Sequence, residues 1–223
     1  YIQQYKEEIT NYVVAQINQQ IDAEIELDEN NASIDMYSHF PHINLTLPSF
    51  IITSNGSELM NVDLVSIDLS LIDLLQSKKT VRKIGIEEGV IYLEKDKQGK
   101  LNYKIGSSSN SSIDYLSIPS IQLINVQIVY KDFTYSNINE PKSVFKMLVD
   151  KALFDIVMDK SKINITSEGN AIIQTLESSG KQFLMNQKAN INGQVEFDIA
   201  KSLFRFNNVY LEYGVYNKNS EPL

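Results

Sequence analysis

The chain has 223 residues, 28 of them acidic and 20 basic, and its formal charge is -8. This charge disfavours binding to nucleic acid, whose phosphates need lysine and arginine, and it disfavours electrostatic docking on anionic lipid. Because there is no cysteine, disulfides, thiolate nucleophiles and cysteine-based metal sites are excluded. No apolar run approaches the ~20 residues that span a bilayer.

The first predicted element is an amphipathic helix at 2–21, within a helical segment that we place at 1–22. Its apolar side chains recur at helical spacing, which favours packing across one end of a sheet. The alternative, a helix lying on a membrane, would have a polar face richer in lysine and arginine. Because the chain begins at Tyr1, already inside this pattern, we expect that an upstream segment has been removed.

Alternation of apolar and polar residues predicts a first set of strands within 23–105. These strands lie at 24–28, 32–37, 42–53, 62–69, 81–87, 90–95 and 101–105. Asn55-Gly56 predicts a tight hairpin, and Glu88-Gly89 predicts a break between two strands. Ser70 is a candidate N-cap for a short helix at 71–76.

The Gly/Ser-rich segment 106–114 predicts a flexible loop between two strand sets. The second set occupies 115–223, with strands at 115–130, 144–149, 151–158, 161–167, 170–176, 181–186, 188–199, 202–206 and 208–216. Together these patterns predict one domain over 1–223 that is mainly β with α (α+β). We expect a large curved antiparallel meander sheet with one apolar face, and the N-terminal helix packed at one end.

The alternation is clearest at 188–199, where polar residues separate Ala189, Ile191, Val195 and Phe197. The candidates for the apolar face are Ile43, Leu45, Leu47, Val65, Ile67, Ile84, Ile86, Val126, Ile128, Ile191, Val195 and Phe197. We expect this face to shield acyl chains from water, since burying each methylene is worth ~0.8 kcal/mol. The alternative that the sequence leaves open is that these residues form a closed core.

No pattern nominates a catalytic centre or a metal site. His39 and His42 flank Pro41, which breaks a helix, and in a strand the two side chains would point to opposite faces. Nucleophile-elbow, phosphate-loop, dinucleotide and EF-hand motifs are absent. We therefore predict a protein that is not an enzyme and has no cofactor and no metal. A glycan-acting enzyme with a carboxylate pair has no positive support.

Four segments carry a resemblance through their order along the chain. Ser-His-Phe-Pro-His-Ile-Asn-Leu-Thr-Leu lies at 38–47, and Val-Ser-Ile-Asp-Leu-Ser-Leu-Ile-Asp-Leu-Leu follows at 65–75. Segment 81–103 has two apolar strands, an Asp-Lys-Gln-Gly turn and then Leu101-Asn102. This order resembles the N-terminal region of the AsmA family of bacterial envelope proteins, and 183–206 is similar to its Bacteroidetes branch. The resemblance covers about two thirds of the chain, and the family often has tryptophan where this chain has Leu101.

The resemblance implies a periplasmic body, anchored in the inner membrane by a helix upstream of residue 1, in which curved sheets form a hydrophobic groove. It implies phospholipid acyl chains as the ligand, lipid transfer between inner and outer membrane, and a role in outer-membrane assembly with envelope proteins as partners. It carries over no catalytic residue. The rival hypothesis is a structural or protein-interaction module with a closed core, which binds a partner at a sheet edge.

Overall fold

The computed structural model describes residues 11, 23–28, 31–35, 41–54, 56–70, 72–73, 81–103, 120–134, 140–159, 162–198 and 203–210. Strands account for 82% of the described part, so the protein is mainly β. The strands are β1 (Ala23–Glu26), β2 (Ser33–Asp35), β3 (His42–Ser54), β4 (Ser57–Ser70), β5 (Val81–Lys95), β6 (Ser120–Asp132), β7 (Ser143–Asp159), β8 (Lys162–Ser178), β9 (Lys181–Asn190), β10 (Asn192–Asp198) and β11 (Leu203–Tyr210).

All eleven strands belong to one sheet, which unites the two predicted strand sets. The order is β1-β3-β4-β5-β6-β7-β8-β10-β11, with β2 also paired to β3 and β9 also paired to β8. Strands β5 and β6 are parallel, whereas the other described pairs are antiparallel. The predicted antiparallel meander is therefore wrong at this junction, and the sheet is mixed. Residues 96–119 connect the two strands, which is the length of connection that a parallel pair needs.

The described residues test the predicted helices at few positions. The N-terminal helix at 2–21 is not supported, since it lies outside them apart from Asn11, and the loop at 106–114 lies outside them entirely. Of the short helix at 71–76, only 72–73 are described, and both are helical. The N–H of Asp73 does donate to Ser70 Oγ at 3.3 Å, which is the contact of an N-cap.

The hairpin predicted at Asn55-Gly56 is confirmed. Ser54 pairs with Ser57 across the turn, and Gly56 has a φ of 77°, in the left-handed region that glycine tolerates.

At or next to each edge of the described sheet, two strands lie end to end along a shared neighbour. Strands β1 and β2 both pair with β3, and β9 and β10 both pair with β8. The break between β9 and β10 falls at Ile191, whose N–H still donates to the carbonyl of Gly169 at 2.8 Å. Pro48 of β3 lies at the break between β1 and β2, where its carbonyl accepts the N–H of Asp28. A proline is tolerated there because the N–H that it lacks would point into the break.

Three predicted strand boundaries lie inside continuous strands. Strand β5 runs through Glu88-Gly89, β7 runs through Asp150, and β8 runs through Glu168-Gly169. Of the predicted strand at 101–105, residues 101–103 are described, and among these Leu101 forms an isolated bridge with Lys95. In β5 and β7 the alternation of apolar and polar residues shifts by one position at these points. In the sequence such a shift resembles a turn, but here it arises from one extra residue within a continuous strand.

The extra residues of five neighbouring strands lie at one register position. We call them the outer row: Ser49, Asp63, Glu88, Asn125 and Asp150. All five are exposed, and Ser49, Glu88 and Asn125 have φ values of 51–52°. The residue pairs on either side of each outer-row position show that these five positions lie opposite one another, because the pairing is regular immediately before and after each of them.

The outer row keeps the apolar side chains of each strand on one face. In β3, Leu47 and Phe50 are both buried although they are three residues apart, because Pro48 and Ser49 both face outward. The same spacing separates Val62 from Val65 in β4. In β7 the extra residue is Asp150, and the pairing between β7 and β8 shifts by one residue there. Strand β8 therefore keeps its alternation of faces without an extra residue at this position.

Two apolar clusters lie on this face. The first comprises residues of β1–β5, and its largest fully buried side chains are Phe50, Leu45 and Leu47. The second is built around Val126 and Val149 of β6 and β7, with members from β8. Ile86 and Ile91 of β5 pack against both clusters and join them.

The first prediction concerns the close contact between β4 and β5. A Cβ at Gly89, whose φ is 148°, would lie 2.3 Å from the carbonyl oxygen of Asn61 and 2.5 Å from Cα of Val62. At Gly56 the same atom meets nothing within 4 Å. We expect Gly56→Ala to cost about 1 kcal/mol and Gly89→Ala about 3 kcal/mol or more in the free energy of unfolding. Urea denaturation measures both, and equal losses would contradict the contact.

The second prediction concerns Glu196, which joins three strands. Its carboxylate contacts Lys162 of β8 at 3.2 Å and also binds Arg205 of β11. The hydrogen bond from Lys162, together with the hydrogen bond from Arg205 and the charges of both residues, outweighs desolvation and holds the pKa of Glu196 below its ordinary value. A lowered pKa stabilises the fold above the pKa of the unfolded state, and the effect is lost as the pH falls through the folded-state value.

We therefore expect Glu196→Gln to make the β10–β11 edge less sensitive to acid. Hydrogen-exchange protection of the β10 and β11 amides, followed from about pH 6 to about pH 3, measures this. The wild type should lose more protection over this range than the variant does. An equal loss in both proteins would show that Glu196 does not couple this edge to pH.

Candidate functional site on the apolar face

The structure brings the twelve predicted apolar-face residues onto one sheet but divides them by burial. Six are at most 4% exposed: Ile43, Leu45, Leu47, Val65, Ile67 and Val126. Five are half-buried: Ile84, Ile86, Ile128, Ile191 and Val195. Phe197 lies opposite Ile163 and Phe204 in the ladder, and its side chain is outside the described part.

This division locates the accessible part of the face. The residues on β3 and β4 have almost no surface left, so a guest could touch them only by displacing what covers them. The half-buried residues lie on β5, β6 and β10 and beside Gly169 of β8. A site for an apolar ligand is therefore confined to the part of the face over β5 to β10.

Small side chains form a band across this part of the face. We call it the small-residue band: Val126, Val149, Ala152, Gly169, Ala171 and Ala189. The pairs Val126↔Val149↔Ala171↔Ala189 run straight across four strands, perpendicular to them, and Ala152↔Gly169 lies directly beside this line. The valines and alanines of the band are at most 3% exposed.

The contact between Ala152 and Gly169 explains why the band has no larger side chains there. A Cβ at Gly169 would lie 2.5 Å from both Cα and Cβ of Ala152 and 2.5 Å from the carbonyl oxygen of Lys151. The two backbones therefore approach too closely for any side chain at 169. The band is buried as completely as the residues on β3 and β4, so the apolar surface that a ligand can touch over β5 to β10 lies on its half-buried neighbours.

Larger side chains border the band on both sides. On one side Ile91, Ile128 and Met147 are paired in a row and are all half-buried. On the other side Ile121 pairs with Phe154, and both are half-buried. A further half-buried row continues beyond the first side: Leu93, Tyr130, Phe145, Leu176 and Leu184.

Sequence reasoning missed most of these bordering residues. Met147, Phe154 and Phe145 lie in strands that were predicted, but their face could not be assigned while the phase shift at Asp150 was interpreted as a strand end. The signal was present in the spacing of Val149 and Ala152, two small apolar residues three positions apart around a pair of charged residues.

The opposite face mixes polar and apolar side chains. Near β3 it carries a hydrogen-bonded set in which Asn44 Nδ2 donates to Asp68 Oδ1 at 2.6 Å and Thr46 donates to Asn44. Further along the sheet, Leu148 and Ile172 are paired and half-buried on this face. Neither Leu148 nor Ile172 belongs to either of the two apolar clusters.

A polar region lies at the end of the sheet where the parallel strands β5 and β6 end. Burial, followed by the charge of Asp132, raises the pKa of Tyr103 and of Tyr130. Burial also opposes ionisation of Asp132, but its contacts with Thr134 and the charges of Lys95 and Lys142 outweigh this and lower its pKa. Asp132 therefore stays ionised beside two neutral phenols.

A cavity of about 310 Å³ lies at the same end and is separate from the apolar face. Polar residues dominate its lining, including Glu94, Asp96 and Asn102. Asp96 accepts the N–H groups of Gln98 and Lys100, and Asn102 bonds the backbone of Glu94. These hydrogen bonds stabilise the turn at 96–100 and its contact with the end of β5.

The described residues offer no metal centre. No group of three or more His, Cys, Asp or Glu side chains is placed to hold an ion within the described ranges. Arg82 Nη1 lies 3.1 Å and 2.9 Å from the two ring nitrogens of His42, which sets a positive charge where a metal would bind. His39 lies outside the described residues. The described part of the chain contains no helix long and apolar enough to cross a membrane.

Comparison with known proteins adds no relative. Neither a family model nor a curated protein matches this chain.

Proposed function

We propose that this protein is a non-enzymatic lipid-binding protein that holds acyl chains on the apolar face of its sheet. The observation that carries the proposal is the small-residue band between two borders of half-buried, larger apolar side chains. Rows of half-buried apolar side chains on both sides of the band offer apolar contact without charged side chains, which suits an unbranched hydrocarbon chain better than a ligand that needs directed hydrogen bonds.

The outer row supports the same proposal. In each of five strands two successive residues face outward at the outer row, while the apolar face has none added. Extra residues bend a strand locally, so we infer that the sheet bends at this row. A bend toward the apolar face would tilt the bordering rows toward each other as the walls of a trough over the band, and each methylene that enters it from water would contribute ~0.8 kcal/mol.

The cellular role follows from the AsmA resemblance and is part of the proposal. We place the protein on the periplasmic side of the cell envelope, with the native chain anchored in the inner membrane by a helix before residue 1. There it would carry phospholipid between the inner and outer membrane and so assist outer-membrane assembly. The acidic surface leaves headgroups in water and restricts the contact to the tails.

One observation favours the rival, a protein-interaction module. Phe183 and Met185 of β9 are 62% and 57% exposed, and no described strand pairs with the outer edge of β9. An added strand from a protein partner would cover both side chains and use the backbone groups of this edge. In this case the apolar face would be closed and would carry no lipid.

The decisive experiment is extraction of the purified protein with organic solvent, followed by mass spectrometry of the extract. We expect co-purifying phospholipid or fatty acid, and uptake of a fluorescent fatty acid by delipidated protein. Absence of both would overturn the lipid proposal and favour the rival.

A matched pair of variants tests the location of the site. Met147 and Leu148 are adjacent and both half-buried, but Met147 borders the band whereas Leu148 lies on the opposite face. We expect Met147→Glu to weaken fatty-acid binding about tenfold or more, because a carboxylate would have to be desolvated against the hydrocarbon. Leu148→Glu should bind as the wild type does. Equal binding by the two variants would place the lipid elsewhere.

A further inference from the structure

We propose that the outer row positions the lipid site from the opposite face of the sheet, with Glu88 and Asn125 as its main positioning residues. Neither side chain lies on the apolar face, and both are exposed. The inference rests on the lipid-binding function proposed above, and it assigns to these residues the shape of the trough rather than contact with the guest.

The alignment of the outer row is the first argument. Left-handed backbone is costly for residues other than glycine, and most strands avoid it. Here Ser49, Glu88 and Asn125 adopt it in three strands at one register position, and Asp63 continues the row in the strand between β3 and β5. Other irregularities, such as the left-handed Asn186 of β9, lie away from this row, but the outer row occupies one register position in five neighbouring strands, which indicates one bend that crosses the sheet.

The second argument is the position of the row relative to the band. Asn125 directly precedes Val126, and Asp150 directly follows Val149, so the row and the small-residue band are consecutive residues of the same strands. In β5, Glu88 precedes Gly89, which pairs with Val126. A change in backbone direction at the row therefore moves the band and the bordering rows beside it directly, without transmission through other side chains.

The chemistry of the row is the third argument. Asparagine tolerates left-handed backbone better than most residues, glycine adopts it freely, and a β-branched residue resists it. Replacing Glu88 and Asn125 by valine should drive both strands toward regular extended backbone and flatten the sheet. Replacing them by glycine removes the same polar side chains but keeps the left-handed backbone accessible.

The test compares the double variant Glu88→Val/Asn125→Val with Glu88→Gly/Asn125→Gly. We expect the valine variant to bind fluorescent fatty acid about tenfold more weakly, equivalent to losing contact with about two methylene groups. The glycine variant should bind as the wild type does. Ile43→Val, a buried substitution on β3 far from the band, is the control for loss of stability alone. If the valine double variant does not fold, Asn125→Val alone carries the comparison.

Spin-label distances provide a readout that a general loss of stability would not change. Because the chain has no cysteine, Arg82→Cys and Lys97→Cys can be labelled selectively at exposed positions on either side of Glu88. The distance between the labels should increase in the valine variant, as the strand straightens, and should be unchanged in the glycine variant and in Ile43→Val.

The outcomes separate this inference from the proposed function. If the wild type binds no lipid, the lipid proposal fails, and the positioning role fails with it. If the wild type and the valine variant bind lipid equally, or if the label distance does not change, the positioning role is overturned and lipid binding stands. An equal loss of binding in Ile43→Val would also overturn it.

Discussion

The requirement that the apolar side chains stay on one face while the strands change direction governs this fold. Successive residues of a strand point to opposite faces, so one extra residue in a single strand would turn the rest of its apolar residues toward water. The sheet meets the requirement by placing the extra residue at the same register in β3, β4, β5, β6 and β7. Strand β8 has no extra residue at this register, and its pairing with β7 therefore shifts by one residue beside Asp150.

This arrangement also explains the gradient of burial along the sheet. Leu45, Leu47 and Val65 at the β3–β4 end are almost fully buried, whereas Ile128, Met147 and Phe154 keep part of their surface. Burial of apolar area contributes about 25 cal/mol per Å², so the first region supplies most of the stability and the second retains apolar surface that a ligand can still cover. Fold stability and the proposed function are thus drawn from different strands of one sheet.

How much of this could be predicted from the sequence depends on the range of the signal. Alternation within single strands and the turn chemistry of Asn55-Gly56 are local, and they predicted the mainly β class and the first hairpin correctly. The outer row is not local: Glu88 and Asn125 are ordinary residues in sequence, and their meaning arises from alignment across strands. The parallel pairing of β5 with β6 likewise depends on where a long connection returns, which no periodicity in either strand encodes. For the site, the twelve predicted residues were placed on the correct sheet, but their burial could not be predicted because it depends on what covers each strand.

The absence of a polar anchor within the band has a consequence for specificity. A ligand held only by apolar contact gains free energy in proportion to its buried length, so discrimination would depend on chain length and branching rather than on the headgroup. The close approach of Ala152 and Gly169 leaves no room for a side chain at 169, so no polar group can stand there either. Under the proposed function, uniform apolar contact would let a chain slide without breaking a directed bond, which would suit moving many related lipids rather than selecting one.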